Sequence, residues 1–151
     1  MKLAEALVLR ADSKKRIEQL KQRIIRNAKV QEGDKPAEEP EALIREMENT
    51  SQELVEIIQR INKTNSVTEV ETGVSLSDAI ATRDILVMKV AIYRDLAQAA
   101  SVTHDYRTKS EVKFMSTVNV QQVQESADQL AKAHRELDTR IQEMNWKTEL
   151  Q

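Results

Sequence analysis

The chain contains no cysteine, and it has only two glycines and two prolines among its 151 residues. Without cysteine there is no disulfide, no thiol nucleophile and no thiolate ligand for a metal. The scarcity of turn residues argues against a sandwich, a barrel or a Rossmann-type nucleotide fold. The sequence also lacks a glycine-rich phosphate loop and a nucleophile-elbow serine. We therefore expect a protein that is not an enzyme and that binds no cofactor.

Long apolar runs are scarce as well. The longest, Ile85 to Tyr93, is interrupted by Lys89, whereas a bilayer-spanning helix needs about 20 mostly apolar residues. Charged residues interrupt the N-terminal stretch, which is therefore not expected to act as a signal peptide. The net charge of −2 gives the whole chain no strong preference for nucleic acid or anionic membrane. These features predict a soluble cytoplasmic protein without a membrane span.

Helical periodicity is what the sequence does contain. Apolar residues recur at spacings of three and four, which indicates amphipathic helices. Four helices are predicted, at about residues 2–30, 40–65, 76–100 and 120–147. Short strands are predicted at about 67–74 and 110–118, where they could pair as a small sheet. The expected fold is mainly all-α: one domain over residues 1–151, with antiparallel hairpins in a coiled-coil-like bundle and a minor β-hairpin or small sheet.

Charge predicts which helices pair. Residues 1–30 carry nine basic and three acidic side chains, a net charge of +6. Residues 31–60 carry three basic and nine acidic side chains, a net charge of −6. A short link containing Gly33 and Pro36 joins the two segments, so an antiparallel hairpin is expected. Its exposed ion pairs would set orientation more than stability.

The third predicted helix is apolar on nearly all sides. Its apolar residues are Ile80, Ile85, Leu86, Val87, Met88, Val90, Ala91, Ile92, Leu96 and Ala97. A helix without a polar face is normally surrounded by protein. In so small a chain, we expect part of that covering to come from another subunit, which predicts a homo-oligomer. The last helix carries a narrow apolar seam of the kind found in coiled coils.

Metal binding has little support in the sequence. His134 and Asp138 lie one helical turn apart and are the weak candidates for ligands. Zinc usually requires at least three protein ligands, so no metal site is predicted. His104 lies beside Asp105 in a predicted loop, where a solvated side chain is the simpler interpretation.

Polar residues near two helix ends form a possible polar cluster: Asn62, Asn65, Asp138, Gln142 and Asn145. Buried amides need hydrogen-bond partners, and in helical bundles they fix the register of packing. They could also line a small polar pocket for a ligand.

A possible basic patch lies on the first helix: Lys14, Lys15, Arg16, Lys21 and Arg23. Lysine and arginine contacts to phosphates would give salt-sensitive nucleic-acid binding. The acidic second helix would neutralise this face, and aromatic residues for base stacking are missing from it. Nucleic acid is therefore not the expected partner, although it stays an alternative.

The single tryptophan, Trp146, closes the last helix. Its large apolar body and one N–H donor favour a half-buried position. We expect it to act as a packing anchor that covers the last turn, with a partner surface as the alternative.

Several segments resemble a known family. They are MKLAEALVLRAD, NAKVQEGDKPAEEP, RINKTN and LDTRIQEMNWKTEL. Together they are similar to small bacterial helical proteins that carry the label septicolysin, a family without an established activity or catalytic residues. The resemblance and the composition favour a non-enzymatic helical assembly or interaction protein. The alternative is binding of nucleic acid or a small polar ligand. A membrane-active cytolysin, which the label suggests, comes third and is disfavoured by the absence of a strongly hydrophobic amphipathic face.

Overall fold

The computed structural model describes residues 1–102 and 113–151. Within them the chain forms helices and one β-hairpin, in the order α1 (Leu3–Arg26), α2 (Pro40–Val67), β1 (Glu69–Glu71), β2 (Val74–Ser75), α3 (Leu76–Ala100) and α4 (Val120–Lys147). The predicted mainly all-α fold is confirmed. The contacts divide the chain into two compact units, unit 1 (Met1–Glu69 with Gln142–Gln151) and unit 2 (Val70–Ile141). Residues of α4 belong to both units. The single domain over 1–151 stays a prediction.

Local signals place the helix starts where the sequence predicts them. Ser75 opens α3 with a capping box, in which its Oγ accepts a hydrogen bond from the Asp78 N–H at 3.1 Å. The Asp78 carboxylate accepts one from the Ser75 N–H at 3.3 Å. At the start of α4, Asn119 Oδ1 accepts from the Gln122 N–H at 3.1 Å. Pro40 is the first residue of α2, where its missing N–H costs nothing.

Helix α1 ends at Arg26, four residues before the predicted end. The reason is Asn27, whose buried side chain bonds in two directions. Its Nδ2 donates to the Arg23 carbonyl at 2.9 Å, and its Oδ1 accepts from the Glu38 N–H at 3.2 Å. The same side chain therefore closes the last turn of α1 and fixes the loop that leads to α2.

The predicted hairpin near residues 67–74 is confirmed as β1 and β2, which pair with each other. Gly73 turns between them with φ +79, a conformation that glycine adopts without steric cost. Within the described residues, this sheet consists of these two strands, and the possible pairing with residues 110–118 is not seen there. Residues 113–118 form no strand, and residues 110–112 lie outside the described part of the chain.

Unit 1 is built on the predicted antiparallel pair of α1 and α2. Arg16 donates to Glu46 through Nε at 3.2 Å and Nη2 at 2.6 Å. Arg23 makes a similar two-point contact with Glu38. The later of the two α1 residues, Arg23, meets the earlier of the two acidic residues, Glu38, as an antiparallel hairpin requires. Its buried side chains include Leu3, Ala6, Leu20, Leu43, Ile57, Ile61, Thr64, Asn145 and Leu150.

The first and last segments of the sequence also meet within unit 1. Leu3 N–H donates to the Thr148 carbonyl and Leu150 N–H to the Met1 carbonyl, both at 2.9 Å. The fully buried Thr64 accepts from the Gln151 N–H at 3.0 Å. These bonds hold the final residues against the hairpin of α1 and α2.

Unit 2 contains α3 and the greater part of α4, packed antiparallel. Arg83 near the start of α3 donates to Asp138 late in α4 at 3.1 Å. At the other end, Gln98 and Gln124 line one groove. Leu76 and Ile141 are buried at its edges, and the other buried side chains are mostly small: Ala79, Val90, Ala97, Ala127 and Ala131. Small side chains allow the helices to approach closely, but they bury only a narrow face of each helix.

Candidate functional site

The outward face of α3 is an uninterrupted row of aliphatic side chains. Ile85 is 51% exposed, Met88 59%, Ile92 62% and Leu96 40%. Their spacings of three and four residues place them on one side of a helix. We call these four residues the α3 stripe.

The opposite face of α3 is the buried one. Val90 and Ala97 are 8% and 5% exposed, and both line grooves shared with α4. At 100° per residue, they lie about 140° around the helix from Ile85 and Ile92 respectively. The packing of α4 therefore covers one side of α3 and leaves the stripe outward.

On the other helices of residues 1–102 and 113–151, exposed aliphatic residues do not form a comparable row. Val8 and Ile25 of α1 are 58% and 60% exposed, but they are far apart in sequence. Ile44 and Val55 of α2 are likewise separated by three helical turns. Isolated exposed apolar residues are normal on protein surfaces, whereas contiguous patches mark interaction sites.

The stripe continues past the end of α3. Leu96 and Val102 line an open cavity of about 500 Å³ together with Phe114 and Met115. The latter two side chains are 84% and 85% exposed. The sequence pattern predicts a strand for this segment and does not indicate its place in an apolar surface. The adjacent aromatic and methionine residues were the available signal, because both types are enriched in interface cores.

Charged residues border the stripe on its two edges. Asp84 and Asp95 lie on one edge, and Lys89 lies on the other, all with exposed side chains. Arg83 bonds Asp84 at 3.0 and 3.1 Å as well as Asp138. Because one guanidinium is shared by two carboxylates, Arg83, Asp84 and Asp138 together carry a net negative charge.

The candidate metal ligands do not form a metal site in the part of the chain that the structure describes. No group of three or more His, Asp or Glu side chains there is arranged to hold an ion. Asp138 already accepts a hydrogen bond from Arg83, whose positive charge opposes a cation. His134 is half-buried in a groove of about 370 Å³ that also contains Arg94 and Arg135. His104 lies outside the described residues.

The five residues of the possible polar cluster do not form one buried group. Asn145 is buried and Asn65 half-buried, but Asn62 and Gln142 are exposed. Asp138 belongs to unit 2 and is engaged by Arg83. The shared polar pocket stays a prediction.

The possible basic patch is partly neutralised, as the acidic second helix predicts. Lys14 and Lys15 are exposed, but Arg16 and Arg23 bind Glu46 and Glu38, as described above. Lys21 lies 3.7 Å from Glu18. The hydrogen bond from Arg23 lowers the pKa of Glu38, and Arg23 itself has a raised pKa through the same bond. Each partner therefore favours the charged form of the other.

The packing role predicted for Trp146 is wrong. Its side chain is 61% exposed. The buried positions of this part of unit 1 are taken by Asn145 and Leu150. Because Trp146 follows Asn145 directly, it lies 100° around the helix from the covered face. Its alternative interpretation, as part of a partner surface, stays a prediction.

The chain is thus a small, mainly helical protein, and comparison with known proteins gives its family. The chain belongs to a family of unknown function, DUF6847, whose model matches residues 10–150. It is similar over 100% of its length to a functionally unknown conserved protein from Corynebacterium diphtheriae, seen in a crystal structure. The two are 42% identical, the match covers 99% of that chain, and the TM-score is 0.94. No curated protein matches.

These matches bear out part of the resemblance noted above. A family without known activity is shown, but neither description mentions septicolysin, so that label has no support here. None of the helices in residues 1–102 and 113–151 combines the length and apolar character needed to cross a bilayer.

Proposed function

We propose that this protein is a non-enzymatic, cytoplasmic helical assembly protein whose copies associate through the α3 stripe. The observation that carries the proposal is the exposure of Ile85, Met88, Ile92 and Leu96 in one continuous row. Soluble proteins rarely leave such a row in water unless another surface covers it. Depletion of charge at its centre is also typical of interface cores.

Magnitudes indicate what kind of association to expect. Fully burying an aliphatic side chain stabilises by about 1.5–3 kcal/mol, so a half-exposed one has about 1 kcal/mol left to gain. Four such residues on each of two copies give a gross gain of about 8 kcal/mol. Association costs about 4–15 kcal/mol in lost freedom. The stripe alone therefore supports a weak, concentration-dependent dimer, which Phe114 and Met115 could strengthen.

The nucleic-acid alternative has no comparable support. Two of its five cations are already bound to carboxylates, Arg16 to Glu46 of α2 and Arg23 to Glu38 of the loop before α2. Exposed ion pairs are weak, but they reduce the charge available to phosphates. No described contact favours a small polar ligand.

Light scattering on a sizing column, from micromolar to millimolar protein, tests the proposal with Ile92→Glu. We expect the wild type to shift from monomer towards dimer and Ile92→Glu to stay monomeric. Ile25→Glu is the matched control, because Ile25 is exposed to nearly the same extent on α1. A wild type that is monomeric at every concentration would overturn the proposal. The proposal would also be overturned if Ile92→Glu and Ile25→Glu dimerised to the same extent.

A further inference from the structure

The charges beside the α3 stripe distinguish between the two ways in which a pair of α3 helices can align. Asp84 and Asp95 are three helical turns apart and so lie on the same edge of the stripe. Lys89 lies about 140° from Asp84, on the other edge. The stripe thus has one acidic and one basic edge.

In an antiparallel pair of identical helices, each edge meets the same edge of the partner. Centring the stripe would place Ile85 opposite the partner's copy of Leu96. Asp84 would then lie beside the second copy of Asp95, and Asp95 beside the second Asp84. Four carboxylates would line one side of the seam, and two lysines the other, and like charges at an interface are unfavourable.

In a parallel pair, each edge meets the opposite edge of the partner. Charged residues about five positions apart face each other across such a seam. Asp84 and Lys89 are separated by this interval, so each copy would place its Lys89 beside the other's Asp84. The negative charge left on the trio of Arg83, Asp84 and Asp138 makes this edge a suitable partner for an ammonium group.

We infer that the partner of the α3 stripe is a second copy of this chain aligned in parallel, with Lys89 of each copy beside Asp84 of the other. The inference rests on the proposed self-association. Packing of the aliphatic row supplies the affinity, and the two charged edges select the orientation. An exposed pair contributes little energy, but it needs only to favour one alignment over the other.

Disulfide trapping tests the orientation, because the natural chain has no cysteine. Ile85→Cys and Leu96→Cys are made separately, and one carries an affinity tag so that mixed dimers can be recognised. A disulfide needs Cα atoms about 4.4–6.8 Å apart. In the centred antiparallel pair, two copies of residue 85 are about 16 Å apart along the axis. Ile25→Cys is the control, and its disulfide yield measures links that form by random collision.

The parallel arrangement predicts that each variant links to itself under mild oxidation and that mixing yields no excess of Ile85→Cys joined to Leu96→Cys. Mixed links without self-links would overturn the parallel inference and leave self-association standing. The parallel inference would also be overturned if light scattering showed dimers but neither variant formed more disulfide-linked dimer than Ile25→Cys. A wild type that is monomeric at every concentration, with no links, would overturn the proposed function and the inference together.

A charge reversal gives a second, independent readout. Lys89→Glu places a carboxylate beside Asp84 in the parallel pair, so dimerisation should weaken about three- to tenfold, and less at high salt. In the antiparallel pair it only exchanges two facing lysines for two facing glutamates, and affinity should hardly change. Lys14→Glu on α1 controls for net charge. Unchanged affinity in Lys89→Glu would contradict the parallel pairing.

Discussion

At the scale of single residues, unit 1 depends on carboxylates held by cations. Hydrogen bonding to Lys2, followed by bonding to the Met1 amino group, lowers the pKa of Glu149 below its ordinary value of 4.5. Arg23 lowers the pKa of Glu38 in the same direction. Glu149 joins the two ends of unit 1, and Glu38 joins α1 to the loop before α2. Both contacts are exposed, so solvent and salt weaken them.

These shifts predict an acid-sensitive stability. A carboxylate whose pKa is lowered in the folded state stabilises the fold fully above its ordinary pKa of 4.5. That contribution is lost as the pH falls through the lowered pKa of the folded state. We expect the free energy of unfolding to fall between about pH 5 and pH 2. Glu149→Gln should remove part of that fall, whereas Glu48→Gln on the exposed surface of α2 should not. Urea unfolding at a series of pH values measures both. Identical pH profiles for the wild type and Glu149→Gln would contradict this account.

At the scale of elements, the β-hairpin depends on a single turn residue. Gly73 has φ +79, and a Cβ placed there would meet no atom within 4 Å. Any cost of a side chain at this position therefore comes from the backbone conformation alone. Because β2 runs directly into α3, loosening of the turn would reach the Ser75 cap.

Gly73→Ala should consequently lower the free energy of unfolding by about 1 kcal/mol. Gly73→Asn should cost less, because asparagine tolerates positive φ better than alanine does. Thermal or urea unfolding followed by circular dichroism measures the difference. If Gly73→Ala left the free energy of unfolding unchanged, or lowered it less than Gly73→Asn, the turn would not depend on positive φ.

At the scale of the whole molecule, self-association couples to stability. A partner that binds only the folded chain raises the apparent stability by mass action. The weak dimer expected from the α3 stripe should therefore make the melting temperature increase with protein concentration.

Calorimetry over a hundredfold range of concentration should show that increase for the wild type. Ile92→Glu should melt at the same temperature throughout, since it removes the association. Ile25→Glu should behave as the wild type does. A melting temperature independent of concentration in all three proteins would count against self-association of the folded chain.

The sequence by itself determined the four helices, the β-hairpin and several of their ends. The bounds of α3 and α4, the capping box of Ser75 and the cap at Asn119 all agree with prediction, as does the pairing of a basic helix with an acidic one. These features depend on interactions within about one helical turn or on summed charge, both of which can be read along the chain. The early end of α1 was missed, because Asn27 bonds a residue in the following loop.

Only the tertiary structure decided which surfaces are covered. Periodicity identified α3 as apolar all round, but the side that faces α4 follows from where a distant segment packs. The same reason explains Trp146: its apolar body predicts a half-buried position, whereas Asn145, with fewer apolar atoms, occupies the covered face. It also explains the surroundings of Asp138, which accepts a hydrogen bond from Arg83 of another helix. Side-chain burial depends on contacts between residues far apart in sequence, and a single sequence does not specify them.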